Sequence, residues 1–470
     1  MGERPLKLKG KQRGRSARKL LICGLSAIGF LCVFACAEQG AQPVEEPAAE
    51  TPASAETIVP VSDTPEIDEV VIAPKTPEPT EIPTPTPEPT PEPTEEPTPE
   101  PTPEPTPVRV TIGVVGDIMT PPRVVADARR GGVYDFRAMF APFEELFGSV
   151  DLMCGNLETT LSGDSVGYSG RKDEETGVRS FNAPDALVDA LKAYGFDLLT
   201  TANNHCMDYG AKGLYRTVEV IRAAGLYQTG TYLNAEDREQ PCVIEINGMK
   251  IGFVASTRLL NMAFKDVGRT EEHIAIGYLV GTDGDKLSDE VLNDIKRVKD
   301  AGAEFVILFA HWDYENSSPT AKITKKLAEQ LFVAGVDCIV GSHPHRIKSA
   351  EYMTVEREDG PYTGLVLYSL GNFTALESFE MMVGLYAKLT LLRDLETGKV
   401  VLEDAGVLPT LMLRRSGNPE FVVVPAYADV TRITGLPSRL TGKEIELIGQ
   451  ARELARKKLG SGVVPILDGD

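Results

Sequence analysis

Six apolar runs in this chain each end in a short polar motif. VRVTIGVV ends at Gly116-Asp117, VDLMC at Gly155-Asn156-Leu157-Glu158, and FDLLTT at Ala202-Asn203-Asn204-His205. EFVILFA ends at His311-Trp312, VDCIV at Gly341-Ser342-His343-Pro344-His345, and GLVLYS at Leu370-Gly371-Asn372. Short apolar runs bounded by such motifs read as buried strands. Helical patterns lie between them: DFRAMFAPFEELF, PDALVDALKAYG, LYRTVEVIRAAG, LSDEVLNDIKRVKDAG and AKITKKLAEQLFVAG. PCVIEINGMKIGFVAS reads as a hairpin turning at Asn247-Gly248. Strands alternating with helices predict an α/β fold with a largely buried sheet. In all six runs the polar residues sit at the C-terminal end. Ligand crevices of α/β sheets lie outside those ends. Residues as distant as Asp117 and His345 are therefore expected on one rim.

That rim would gather Asp117, Asn156, Glu158, Asn204, His205, Asp208, His311, Glu315, His343 and His345. The chain has five histidines, and four of them fall in these motifs. Carboxylate and imidazole without thiolate suit Zn, Mn, Fe or Mg better than a cysteine-type structural zinc site. A ligand set of this size is what two ions about 3.5–4 Å apart require when they clamp a phosphoryl group. A single histidine is more often structural than a ligand. His343 and His345 are two residues apart, a spacing that puts both on one side of a strand, and His311 joins them from another strand end. Three such residues favour ligation.

The region before Val108 has a different character. MGERPLKLKGKQRGRSARK is basic, and Leu20 to Ala35 is apolar. A basic start, a short apolar run and small residues before a break are the pattern of a secretory signal. The run is shorter than the ~20 residues of a full membrane span. Two readings stay open for residues 1–36: cleavage with lipidation at Cys36, or an uncleaved N-terminal anchor. Either places the rest of the chain on the extracytoplasmic face of the cell membrane, with the basic segment inside. Residues 37–107 are rich in Pro, Thr and Glu, with Lys75 the only lysine. Such a segment cannot bury enough apolar area to offset its ordering entropy and is expected to be a disordered stalk. At about 3.1 Å per residue in polyproline II it reaches at most roughly 200 Å. The formal charge of -21 argues against nucleic acid as a partner.

The motifs GD-I-M, N-L-E-T, NNH-x-x-D-x-G, HW-x-x-E, G-S-HPH and YSLGNF occur here in that order. Together they resemble the bacterial capsule-synthesis CapA family of the poly-γ-glutamate type. That family is similar in fold to the calcineurin-like metallophosphoesterases. The likeness covers a domain at 108–375, with a β-rich continuation and a final helix at 376–470. It implies a sandwich of two sheets flanked by helices. It also implies one or two divalent ions and roles for particular residues. Asp117 resembles a carboxylate ligand, and Glu158 stands where a bridging carboxylate belongs, with Asn156 beside it. Asn204 resembles an amide ligand and His205 the acid that protonates the leaving oxygen, with Asp208 shaping the turn or orienting His205. His311 and His343 would complete one metal, and His345 the other. Arg123 is a candidate anion clamp. Asn156, Glu315 and Asn372 are further candidate substrate contacts. Two departures stand out. Met119 occupies the place of a usual imidazole ligand, which weakens one metal site. Asp313 stands where glycine is more common, and reads as a solvated loop residue.

Three functions are consistent with this reading. One is an exported metal-dependent hydrolase or transferase acting on a phosphoester or an amide-linked polymer. Another is a capsule-assembly factor that binds or tethers poly-γ-glutamate, or another anionic polymer, beside membrane-embedded synthesis subunits. The third is a degenerate domain that keeps its motifs for packing. After Phe373, MVGLYAKLTLLRD, KVVLEDAGVLPTLML and FVVVPAY read as strands of a second sheet or a sheet edge. GKEIELIGQARELARKKLG reads as an amphipathic helix with Ile445, Leu447, Ile448, Ala451 and Leu454 inward. Cys154 and Cys338 lie in apolar strands and are expected to be buried thiols. Nothing in the spacing pairs them with Cys206 or Cys242, and nothing marks Cys206 as a nucleophile.

Overall fold

The structure is a computed structural model and describes residues 107–170, 172, 178–261, 275–317, 320–460 and 463–467. The apolar segment, Cys36 and the Pro/Thr/Glu stalk lie outside the described residues. Among the described residues no helix is long and apolar enough to cross a membrane.

The strands begin with β1 (Arg109–Ile118), a small hairpin of β2 (Arg129–Arg130) and β3 (Val133–Tyr134), then β4 (Leu152–Leu157), β5 (Leu198–Thr200) and β6 (Tyr227–Thr229). Next come β7 (Val243–Ile246), β8 (Met249–Thr257), β9 (Phe305–His311), β10 (Cys338–Ser342), β11 (Ala350–Arg357) and β12 (Gly360–Leu367). The chain continues through β13 (Asn372–Thr374), β14 (Val383–Arg393), β15 (Val400–Arg414) and β16 (Phe421–Pro425). They build two large sheets. One has the order β16-β15-β14-β1-β4-β5-β6, with β13 paired to β1; the other runs β11-β12-β10-β9-β8-β7. β1, β4, β5 and β6 are mutually parallel, as are β8, β9, β10 and β12. The expected α/β sandwich of two sheets flanked by helices is what the chain forms.

Residue alternation shows how the layers stack. Ile307 and Phe309 of β9 face one apolar cluster, together with Val114 of β1 and Leu198 of β5. Val306, Leu308 and Ala310 face the other way, into a cluster with Val291, Ile295, Leu327 and Leu331 of the helices Asp289–Asp300 and Lys322–Val333. Strands covered on both faces carry apolar residues at every position, which is why β9 reads as an unbroken run. Each fully buried Leu, Ile or Phe contributes about 1.5–3 kcal/mol. The sheets therefore need no alternating polar face to define them.

Several sequence expectations need correction. DFRAMFAPFEELF is not one helix. It breaks into Arg137–Phe140, a 3₁₀ turn Ala141–Phe143, and Glu144–Phe147. Pro142 lacks an N–H and clashes with the preceding turn, and the bend wraps Phe140, Phe143 and Phe147 around Phe373 at centroid distances of 5.7, 5.2 and 6.0 Å. Of the two readings for the strands after Phe373, a second sheet or a sheet edge, the sheet edge is what the chain forms. Tyr386–Leu392 of β14 pairs antiparallel with Arg109–Val115 of β1, so β14, β15 and β16 complete the first sheet. The final helix, Gly442–Leu459, opens with a capping box of Thr441 and Glu444. Its inward face includes Ile448, Ala451, Arg452, Ala455 and Leu459, whereas Ile445 is exposed. Buried Arg452 donates to the Ala426 carbonyl at 2.7 Å, which turns this face inward. The Asn247-Gly248 turn is as expected, with both residues at positive φ between β7 and β8. Cys154, Cys206 and Cys338 are buried free thiols and Cys242 is free and half-buried. Burial pushes the Cys206 thiol up to about 12, which suits it poorly to nucleophilic attack.

Candidate metal centre

Strand register assembles the site. Asp117 pairs with Asn156 across β1 and β4, and with Asn372 across β1 and β13. In the other sheet, His311 stands opposite Thr257 on one side and Ser342 on the other. Two glycines allow the close approach. A Cβ on Gly116 would lie 1.9 Å from the Gly371 carbonyl oxygen, and one on Gly341 would lie 2.1 Å from the Tyr368 carbonyl oxygen. The loops beyond are strained: Asp313, His343 and His345 all have positive φ, at 68°, 90° and 55°. Such conformations cost about 1–3 kcal/mol each and persist where the surroundings over-determine them.

The ligating atoms form two groups. Glu158, His311 and His343 are one, and Asp117, Glu158 and His345 the other, with the ligating atoms of each group within 4.8 Å of one another. Glu158 belongs to both. It is fully buried, and neither of its oxygens has a hydrogen-bond partner. Its nearest polar neighbours include His311 Nε2 at 3.5 Å and His345 Nε2 at 3.7 Å. The buried Nδ1 of His343 also has no partner. Burial, and then the charge of Asp117, hold the Glu158 carboxyl well above the usual carboxylate range. Burial and the neighbouring imidazoles push His311 well below the ordinary histidine value, and His343 down to about 3. For His345 burial also lowers, but hydrogen bonding to and the charge of Asp117 outweigh it and the net shift is upward. An isolated buried carboxylate is costly, and neutral imidazole is the form that ligates a metal. Oxygen and nitrogen donors without thiolate, with orphaned polar atoms pointing inward, fit a divalent cation.

The surrounding polar groups aim these atoms. Asn156 Nδ2 donates to Asp117 Oδ1 at 2.7 Å, so Asn156 is buried scaffolding beneath Asp117 and not open to substrate. Asn372 Oδ1 lies 2.8 Å from His345 Nδ1, leaving Nε2 directed at Glu158; its amide nitrogen donates to the Met381 carbonyl. Ser342 Oγ lies 2.9 Å from His311 Nδ1, and Asn204 Oδ1 lies 2.8 Å from its Nε2. Asn204 in turn donates to Asn261 Oδ1 at 3.0 Å, which fixes its amide with the oxygen towards the cluster. His205 Nδ1 lies 2.7 Å from Asp208 Oδ2, which also accepts the Phe181 N–H at 2.7 Å. Asp208 thus orients His205.

A match to the family model described as "Bacterial capsule synthesis protein PGA_cap" spans residues 111–376. The chain belongs to this capsule synthesis family. Among its relatives is "Capsule biosynthesis protein CapA" of Bacillus anthracis, 29% identical over 273 residues, or 56% of this chain and 59% of that protein. "PGA biosynthesis protein CapA" of Bacillus subtilis is 27% identical over 261 residues, 55% of this chain and 61% of that protein. The chain therefore spans about three fifths of the length of these relatives. A solved structure similar to it is the calcineurin-like phosphoesterase YfkN of Bacillus subtilis, at 15% identity and TM-score 0.37, covering 75% of this chain and 99% of that one.

Within this capsule synthesis chain one candidate ligand, His345, lines a cavity of about 680 Å³ together with His205, Asn372, Phe181, Glu315 and Arg179 among others. Glu315 is exposed and reaches to 3.8 Å from His345 Nε2. Arg123 lines the same cavity, but its guanidinium is bonded to Glu420 at 2.8 Å and stacks on Phe421, so it is no free anion clamp. Met119 is buried at the first motif, and its backbone N–H and C=O are both taken by Thr374 Oγ1 at 2.8 and 2.6 Å. The expectation for Asp313 is overturned. It is fully buried and paired with Lys348 Nζ at 2.5 Å. Sequence reasoning also missed Asn261, Lys348 and Arg258. β8 was legible only as one arm of a hairpin, and the residues after it carry no recognisable motif; the structure shows it parallel to β9 and ending beside His311.

Proposed function

We propose that this chain is a divalent-metal-dependent hydrolase of capsule assembly, with a phosphoesterase-like centre at its strand ends. The observation that carries this is Glu158: a buried acid shared by two ligand groups, with both oxygens unpartnered. Glu158, Asn204, His311 and His343 would hold one ion, and Asp117, Glu158 and His345 a second. The second set is poorer by one imidazole because Met119 stands in the first motif. When bound, a divalent ion there supplies Lewis-acid polarisation of the substrate's oxygen. The chain's own residues do the rest. His205 lines the cavity with its Nδ1 2.7 Å from Asp208 Oδ2 and its Nε2 3.2 Å from Asn261 Nδ2; in this reading Asp208 would hold the Nδ1–H and His205 would act as the proton relay for the leaving oxygen. Asn156 and Asn372 keep Asp117 and His345 in place.

The substrate in this reading is an anionic polymer of the capsule, poly-γ-glutamate or its phosphorylated precursor, and the partners are membrane-embedded synthesis subunits. The family membership supports this, since one relative's name refers to PGA biosynthesis. The sequence of residues 1–36 supports export and tethering to the membrane, and Cys36→Ser would release the chain from the membrane fraction if Cys36 is lipidated. The catalytic claim is tested with the full chain loaded with Mn or Zn and offered phosphomonoesters, phosphodiesters and poly-γ-glutamate. Hydrolysis of at least one is expected, and His205→Ala should abolish it while bound metal is kept. A metal-loaded chain that cleaves none of them but binds the polymer would replace the hydrolase reading with a tethering one.

A further inference from the structure

The cations around the centre differ in whether their charge is already used. Arg123 is held by Glu420, Arg346 by Glu380, and Lys348 by Asp313. Arg258 is not. It follows directly on Thr257, the last residue of β8, and its backbone N–H donates to the carbonyl of His311 at 2.9 Å. Its guanidinium stacks over the Tyr314 ring at 5.3 Å from the centroid. Among the described residues no carboxylate pairs with it. Its backbone adjoins the strand end that carries His311, one of the candidate ligands. Tyr314 is about half exposed and is followed by Glu315, which reaches His345. A guanidinium is a planar fork of donors that matches an oxyanion bidentately. Stacking on an aromatic ring fixes the plane of the fork while leaving its edge donors free.

We propose that Arg258, braced by Tyr314, is the oxyanion-binding group of this site and holds the phosphate or carboxylate of the substrate against the ligand cluster. This deepens the hydrolase reading by naming the substrate class, and rests on that reading only for what the oxyanion is attached to. It also resolves an electrostatic difficulty, because a chain of net charge -21 repels anionic substrates unless a local cation receives them. Arg179, exposed on the wall of the cavity that His205 and His345 line, is the competing candidate. It extends from no strand end that carries a ligand.

The test is calorimetric titration of the full chain with orthophosphate and, separately, with glutarate, before and after Mn loading. Parent, Arg258→Ala, Arg258→Lys, Arg123→Ala and Arg179→Ala are compared, with bound metal counted in each. Arg258→Ala should weaken orthophosphate or glutarate about 10–100-fold, the range of a lost charge-assisted pair, with metal content unchanged. Arg258→Lys should fall between, since it keeps charge without the fork, and Arg123→Ala should match the parent. The anion that suffers more identifies which oxyanion the site is built for. Equal affinity in parent and Arg258→Ala, or a loss confined to Arg179→Ala, would overturn the proposal. A chain that retains no metal yet binds oxyanions through Arg258 would sink the hydrolase reading and leave this one standing. Bound metal with Arg258-independent anion binding would do the reverse.

Discussion

At the scale of single residues, Glu158 is the most telling side chain. It carries the desolvation cost of a buried acid and has no hydrogen bond to offset it. Glu158→Gln is therefore expected to abolish divalent-metal binding without lowering the thermal midpoint of the metal-free protein. A midpoint several degrees lower in chelator would mean that the carboxylate serves packing and not ligation. His205 and Asp208 allow a complementary measurement. Asp208→Asn should lower turnover by about 10²–10⁴-fold, the usual range for a mis-set proton relay, with bound metal unchanged. Equal turnover would exclude His205 as the relay. Most of these residues were legible in the sequence because each follows an apolar run by no more than a few positions. Their division of labour was not. Asn156 and Asn372 both looked like substrate contacts; Asn156 lies buried against Asp117, whereas Asn372 lines the cavity and also bonds to His345. The spacing of a motif gives proximity, whereas the direction of an amide depends on partners elsewhere in the chain.

Among the elements, His311 ends β9, and the loops after β9 and β10, which carry His343 and His345, hold positive φ at four non-glycine residues, Asp313, Asn316, His343 and His345. The buried Lys348–Asp313 pair ties these loops together, with Ser317 Oγ also accepting from Lys348 at 2.9 Å. Lys348→Met leaves Asp313 as an uncompensated buried charge. It should cost about 3–5 kcal/mol, read as a lower urea midpoint, and weaken metal binding as the loops relax. A loss under 1 kcal/mol would show that the pair is dispensable. Gly341→Ala is expected to be worse tolerated, because its Cβ would meet the Tyr368 carbonyl oxygen at 2.1 Å, a backbone atom that cannot step aside. Soluble expression with normal metal content would contradict that. The sequence misjudged Asp313 because its partner lies 35 positions away, and a polar residue in a loop normally meets water. It misjudged DFRAMFAPFEELF because apolar periodicity outweighed Pro142. The long parallel strands were legible because burial on both faces removes all polar alternation.

For the molecule as a whole, the two sheets bring six strand ends to one rim, and the C-terminal strands β14, β15 and β16 are part of the same first sheet. Truncation after Ala375 would strip β1 of its antiparallel neighbour, an outcome the boundary drawn from sequence did not reveal. The pairing of Tyr386–Leu392 with β1 is invisible in a motif-based reading, since those strands carry no chemistry. Because the ligands come from both sheets, metal should act as a clamp on the fold. Ligand at about 100 times its Kd stabilises by about 2.7 kcal/mol, so chelation should lower the melting midpoint by several degrees, and an unchanged midpoint would argue against a clamp. The most direct test of the central claim is mass-spectrometric counting of divalent metal on the full chain after Mn or Zn loading and dialysis. At least one ion per chain is expected in the parent, with loss in His343→Ala and Glu158→Gln. A parent chain that retains no ion under any loading would contradict a metal centre at this rim.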